Sequence, residues 1–250
     1  MPRTMRIHSA TDVYHVCNRG VQKRRIFDDD IDRKRFVTYM RQSLEGLDGC
    51  ILAWCLMGNH FHLVVQMEFE ELAAFMSRLT GAYATYYNLR HNRSGYLFQG
   101  RYKSQPIEDE AYLIGAVTYV HQNPAKANIC PANQYQWSSY AEYVGTPDLV
   151  DVELVLGAFG SRDAFVRQHE TPVQDDKLLD VDNGWRMSES ESLKVARKLV
   201  GEHELAQVKE YPRRRRDAVV ERLLQANISA GVISKMTGIS KSTVARIARK

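Results

Sequence analysis

Two histidines, His60 and His62, flank Phe61 within the apolar stretch WCLMGNHFHLVV. Side chains alternate along a strand, so both imidazoles face one way and Phe61 the other. Their Cα atoms then lie roughly 6–7 Å apart, which lets two ring nitrogens converge on one divalent ion. Polar rings set between apolar strands need a reason, because unpartnered polar groups are costly to bury. A bare His-x-His is also met as two ordinary surface histidines.

Farther along, Tyr119 and Asn123 stand four residues apart and so share one face of a helix. Asn123 precedes Pro124, which is expected to end that helix and to let the Asn123 amide oxygen turn outward as a hard ligand. Tyr119 lies one turn inside, where its phenol is held. Tyr112 has Ala116 at its own +4 position and lacks such a partner. The pair also fits a core tyrosine followed by a helix cap. A phenol is a weak nucleophile at neutral pH, with a pKa of about 10. A divalent ion beside a phosphodiester polarises its oxygens and orients it for attack. His60, His62 and Asn123 as ligands, with Tyr119 as nucleophile, make a coherent DNA-cleaving phosphotransfer site. Spacing alone does not bring the helix to the strand.

The elements that carry these residues follow from periodicity. A strand is expected over 13–18 and a helix over 28–44, opened by Asp28–Asp30 and burying Phe36, Val37, Met40 and Leu44. The apolar run 51–57, the Gly58-Asn59 turn and the strand 60–67 read as a hairpin. A long helix over 70–90 has Leu72, Phe75, Met76, Leu79, Tyr83 and Tyr86 at helical spacing. An extended segment over 96–107 precedes the tyrosine helix. The order β-α-β-β-α-β is the split pattern of an α+β, ferredoxin-like four-stranded antiparallel sheet. With its helices on one face, such a sheet would leave the other free for a ligand.

The net charge of +4 is unevenly spread. Residues 1–144 carry 16 bases and 14 acids, residues 145–185 carry 3 and 9, and residues 186–250 carry 15 and 7. A basic terminal module behind an acidic connector points to a polyanionic partner. Three segments are expected: 1–146 with the site, 147–187 as an acidic helical connector and linker, and 188–250 as a helical domain. The linker candidate is TPVQDDKLLDVDNG, residues 171–184. No apolar run approaches a membrane span and no signal peptide is apparent, so a cytosolic protein is expected. Cys17, Cys50, Cys55 and Cys130 form no C-x-x-C pair, which leaves zinc and thioredoxin-type readings without support.

Over roughly residues 10–145 the sequence resembles the single-tyrosine HUH transposases, especially those associated with repetitive extragenic palindromes. The likeness is carried by YHVCNRG, WCLMGNHFHLVV, GYLFQGRYKS, YVHQNP and WSSYAEY, in that order. It implies a nuclease that takes single-stranded DNA with hairpins, uses Mg²⁺ or Mn²⁺, and forms a covalent 5′-phosphotyrosine. On that likeness His60 and His62 are the metal pair, Asn123 the third ligand and Tyr119 the nucleophile. The cytoplasm of a bacterium, at the nucleoid, would be its place, as a monomer or homodimer. Arg19, Lys23, Arg24, Arg25, Arg101 and Lys103 are candidates for phosphate contacts. Tyr96, Phe98 and Tyr102 fit base stacking or the core.

In the last segment, helices are expected over 213–226, 229–236 and 240–249, with Gly238 at a tight turn and Val244 and Ile247 inward. This is helix-turn-helix spacing. It turns Lys241, Ser242, Thr243 and Arg246 outward as donors to duplex DNA. Residues 188–250 also resemble the C-terminal DNA-binding domain of the replication initiator DnaA. A helical bundle that binds protein fits the same pattern. The rival for the whole chain is a non-catalytic DNA-binding regulator with a vestigial nuclease site.

Overall fold

The computed structural model describes residues 7–171, 189–201, 204–226, 228 and 230–247. They fall into two compact units, one within 7–184 and the other within 185–250. The first contains β1 (Val13–Arg19), α1 (Asp30–Leu44), β2 (Gly49–Leu56), β3 (His60–Met67), α2 (Phe69–Arg90), β4 (Lys103–Pro106) and α3 (Glu110–Lys126). The strands form one sheet in the order β2-β3-β1-β4, with every pairing antiparallel, as the ferredoxin-like pattern requires. Local chemistry sets the helix starts. Asp29 caps α1 by accepting from the Asp32 N–H at 3.1 Å, and Asp109 caps α3 by accepting from the Tyr112 N–H at 2.7 Å.

Register fixes which side chains meet. Cys17 lies opposite His62, His15 opposite Val64 and Arg19 opposite His60. Residues directly opposite share a face, so His15, Cys17, Arg19, His60 and His62 line one side of the sheet. Phe61 is on the other side, where it meets Phe36 of α1 with ring centroids 4.9 Å apart. Tyr83 of α2 closes on Phe36 at 4.8 Å. These buried rings are the core beneath α1 and α2.

The histidine face is not open across its width, contrary to the sequence expectation. α3 packs over β2 and β3 on that side. Residues Ala116 to Pro124 of α3 are buried without a break, so this helix has no solvent face along that length. A helix enclosed all round lies between two layers. The outer layer is α5 (Glu153–Phe159) and α6 (Arg162–Glu170), which follow α4 (Tyr140–Val144). Val155 and Phe165 are fully buried in the core of the first unit. Residues 153–170, placed in the connector by charge alone, therefore hold two helices packed on the tyrosine helix. The linker candidate from residue 172 onward lies outside the described residues.

Two boundaries also differ from expectation. α3 runs through Pro124 to Lys126. Proline removes only its own N–H, and the next turn still closes through Ala127 N–H to the Asn123 carbonyl at 3.0 Å. The extended segment over 96–107 pairs as a strand only from Lys103 to Pro106. Before it the chain loops outward, joined to β1 by Gln99 N–H to the Arg19 carbonyl at 2.9 Å.

The second unit contains α7 (Glu189–Val200), α8 (Arg213–Gln225), α9 (Ala230–Thr237) and α10 (Lys241–Ile247). Its core includes Val208, Val220, Leu223, Ile233, Val244 and Ile247. Gly238 turns the chain between α9 and α10 at φ +69°, a conformation that suits glycine. Ser240 Oγ then accepts from the Thr243 N–H at 3.3 Å and caps α10. Ser229, Ala248 and Arg249, expected within helices, lie outside the described residues.

Candidate active site

β3 and α3 bring His62 and Tyr119 together, with ring centroids 5.5 Å apart and nearly perpendicular. His62 is completely buried and Tyr119 is 3% exposed. His60, half-buried two residues earlier, has its ring centroid 5.2 Å from that of His62. Asn123, one turn along α3 from Tyr119, is 8% exposed. Its Nδ2 donates to the Tyr119 carbonyl at 2.9 Å, which leaves Oδ1 as the atom it can offer a ligand.

On a sheet face left free for a ligand, His62 would lie open. Instead it sits under α3, and burial pushes its pKa well below the ordinary value. His15, His60, Lys126 and Lys103 add to that displacement. The ring is held neutral, the form in which imidazole has a lone pair for a metal. Its Nδ1 lies 3.0 Å from His15 Nε2. Its Nε2 is buried with no hydrogen-bond partner. A buried polar atom left without a partner requires an explanation, and an ion is one. A donor set of two imidazoles and an amide oxygen therefore fits a divalent cation here.

α3 separates its side chains by role. His121 Nδ1 meets His169 Nε2 at 2.9 Å, and His121 Nε2 meets Ser139 Oγ at 2.8 Å. Gln122 Nε2 donates to the His169 and Thr171 carbonyls, each at 2.8 Å. Both residues anchor α3 to the outer layer. Lys126 returns to the site: its Nζ lies 4.0 Å from the Tyr119 ring centroid.

The basic residues are spread around this centre. Arg19, Arg101 and Lys103, with Cys17 and Gln99, line a cavity of about 160 Å³. Arg19 Nε donates to Gln99 Oε1 at 2.6 Å. Lys23 and Arg24 are exposed in the turn after β1. Arg25 folds back onto Asp28 at 3.3 Å. Tyr96 is 89% exposed, whereas Phe98 and Tyr102 pack against the core. In the second unit Lys241, Ser242 and Arg246 are exposed, Thr243 is half-buried, and Val244 and Ile247 point inward.

Among the described residues, one group of three His, Cys, Asp or Glu side chains has ligand atoms within 4.8 Å of one another: Asp28, Asp32 and His91. Its carboxylates are already engaged. Asp32 accepts from the Asp28 N–H, from His91 and from Arg90, and Tyr87 Oη donates to Asp28 at 2.7 Å. With a guanidinium inside the cluster, it reads as a clamp between α1 and the end of α2.

Sequence reasoning passed over His15, Asn59 and Lys126. His15 stands two residues before Cys17 within YHVCNRG, so alternation alone puts those two on one face. Only the β1–β3 register places that face on His62.

Residues 10–123 match the family described as IS200-like transposases. The solved structure of a REP-associated tyrosine transposase bound to a REP hairpin is also similar. It is 14% identical, with a TM-score of 0.46, over 61% of this chain and 96% of the other. No curated protein matches the sequence. Among the described residues no helix is long and apolar enough to cross a membrane.

Proposed function

We propose that the first unit is a single-strand DNA endonuclease and strand-transferase that acts through Tyr119. The observation that carries this reading is the approach of the Tyr119 ring to His62, whose buried Nε2 has no hydrogen-bond partner. His60, His62 and Asn123 Oδ1 are the residues that would hold Mg²⁺ or Mn²⁺. Such an ion supplies charge to a phosphoryl oxygen.

The protein's own residues do the rest. α3 holds the phenol rigidly, and His121 and Gln122 lock α3 to the outer layer. Tyr119 Oη loses its proton and bonds to phosphorus. The bond from phosphorus to the 3′ oxygen breaks, and that oxygen leaves protonated as a 3′ hydroxyl. The 5′ phosphate remains on the tyrosine. Attack by the same or another 3′ hydroxyl reverses the exchange without a nucleotide cofactor. Lys126 places positive charge over the ring that carries the attacking oxygen. Arg19, Lys23, Arg24, Arg25, Arg101 and Lys103 supply phosphate contacts.

The second unit binds DNA through α10, with Lys241, Ser242, Thr243 and Arg246 directed to a duplex. Single-stranded hairpins from the DNA flanking the gene test the catalytic reading. With Mn²⁺ the protein should form an adduct that survives SDS. Tyr119→Phe should abolish it and still bind the hairpin, while Tyr112→Phe should keep it. A salt-sensitive complex without any adduct would make the chain a non-catalytic DNA-binding regulator.

A further inference from the structure

Both histidines of the pair are gripped at Nδ1 by a residue outside the proposed ligand set. The two grips differ in how far hydrogen-bond chemistry alone defines them. His60 Nδ1 lies 2.7 Å from Asn59 Oδ1. Asn59 Nδ2 lies 3.1 Å from the Lys23 carbonyl, which only accepts, so that end of the amide must be the donor. Its other end is therefore an oxygen, and His60 Nδ1 must carry the hydrogen. A neutral His60 then has its lone pair on Nε2.

His62 Nδ1 faces His15 Nε2 at 3.0 Å, and either nitrogen can be the donor in such a pair. β1 sets the contact, because His15 and Cys17 share the face that register places on His62. The His15 ring centroid also lies 5.7 Å from that of Tyr119, so His15 stands beside both the proposed nucleophile and a proposed ligand. His15 is completely buried.

We propose that His15 and Asn59 are positioning residues that set both histidines of the pair in the Nδ1–H form, so that both present Nε2 to one divalent cation. This deepens the reading given under the proposed function and rests on it. On His62 the arrangement requires Nδ1–H to donate to His15 Nε2, with His15 carrying its own hydrogen on Nδ1. The same tautomer on both rings lets two imidazoles two residues apart on one strand aim equivalent atoms at one point. Outer-shell hydrogen bonds of this kind orient a ligating histidine and raise its basicity.

Asn59 does a second job. By accepting from His60 and donating to the Lys23 carbonyl, it ties the ligand to the turn after β1. In that turn Gln22 and Lys23 hold φ of 53° and 59°, a conformation uncommon for residues other than glycine. Gly20 is required beside them, since a Cβ there would lie 2.1 Å from the Arg24 carbonyl oxygen. The turn that presents Lys23 and Arg24 is thus coupled to the orientation of His60.

The test reads tautomers directly. In ¹⁵N-labelled full-length protein without metal at neutral pH, the imidazole nitrogens of His60 and His62 should both show protonated Nδ1 and unprotonated Nε2. A His62 protonated at Nε2 would overturn the proposal, whatever the variants do. Mn²⁺ affinity, measured by titration of the metal alone, is the second readout. His15→Phe and Asn59→Leu should each weaken it about 10- to 100-fold. His15→Gln and Asn59→Asp, which keep an acceptor for Nδ1–H, should restore most of it. Unchanged Mn²⁺ affinity in a folded His15→Phe protein would remove His15 from this role. The parent reading fails differently: unmutated protein that neither binds Mn²⁺ nor forms the adduct would sink the nuclease itself.

Discussion

The ring of Tyr119 stands edge-on to that of His62, 5.5 Å between centroids, across the junction of α3 and β3. The two residues come from elements far apart in sequence, and both are buried. Burial makes the histidine pair asymmetric, because His60 remains half-exposed at the edge of the site.

His60→Ala and His62→Ala should therefore diverge in stability while both lose Mn²⁺ binding and cleavage. Removing a wholly buried ring leaves a cavity and frees His15, which should cost roughly 2–3 kcal/mol. Truncating His60 should cost under about 1 kcal/mol. Urea unfolding in EDTA isolates this effect from the metal. Equal midpoints for the two variants would contradict the burial argument.

Asn123 offers a single oxygen, with its nitrogen committed to the Tyr119 carbonyl. Asn123→Asp keeps an oxygen and adds charge, so Mn²⁺ affinity should hold or rise. Asn123→Leu should weaken it by about tenfold or more. Calorimetric titration of both proteins decides the point. A leucine variant with unaltered affinity would remove Asn123 from the ligand set.

Acid should loosen the outer layer. Burial pushes the His169 pKa down to about 4, against the smaller opposing pull of the Phe165 carbonyl, which lies 2.7 Å from Nδ1. The unfolded chain takes up a proton near pH 6.5, and the folded chain refuses it until about 4. Stability therefore falls as pH drops through that window, by up to about 1.4 kcal/mol per pH unit. His169→Gln should remove this part of the slope. Denaturation at pH 7 and pH 5 gives the comparison, and an identical pH dependence in the variant would refute it.

The exposed face of α10 carries Lys241 and Arg246 without disturbing Val244 and Ile247 beneath. If each contacts one phosphate, Lys241→Ala with Arg246→Ala should reduce the salt slope of duplex binding by about 1.8. Adduct formation on a short single-stranded hairpin should be unaffected. Affinities over a range of salt concentrations test this, and an unchanged slope would favour a protein partner for the second unit.

The sequence by itself determined what depends on neighbours along the chain. Alternation placed His60 and His62 on one side of a strand, four-residue spacing placed Tyr119 and Asn123 on one side of a helix, and the Asp28–Asp30 run and Gly238 marked where helices start and turn. Charge along the chain separated a basic end from the rest and suggested a helical connector, but it gave no sign that α5 and α6 pack on α3. Their apolar residues are buried jointly by α3, by α4 and by each other, as Phe165 shows between His121, Tyr143 and Phe159. Pro124 misled for a similar reason, since a helix packed on both sides tolerates the loss of one backbone hydrogen bond. Only the tertiary structure decided that α3 crosses the histidine face, that His62 is sealed beneath it, and that His15 is its partner. Those facts depend on strand register and on which buried surface each helix finds, and both are settled by contacts between residues distant in sequence.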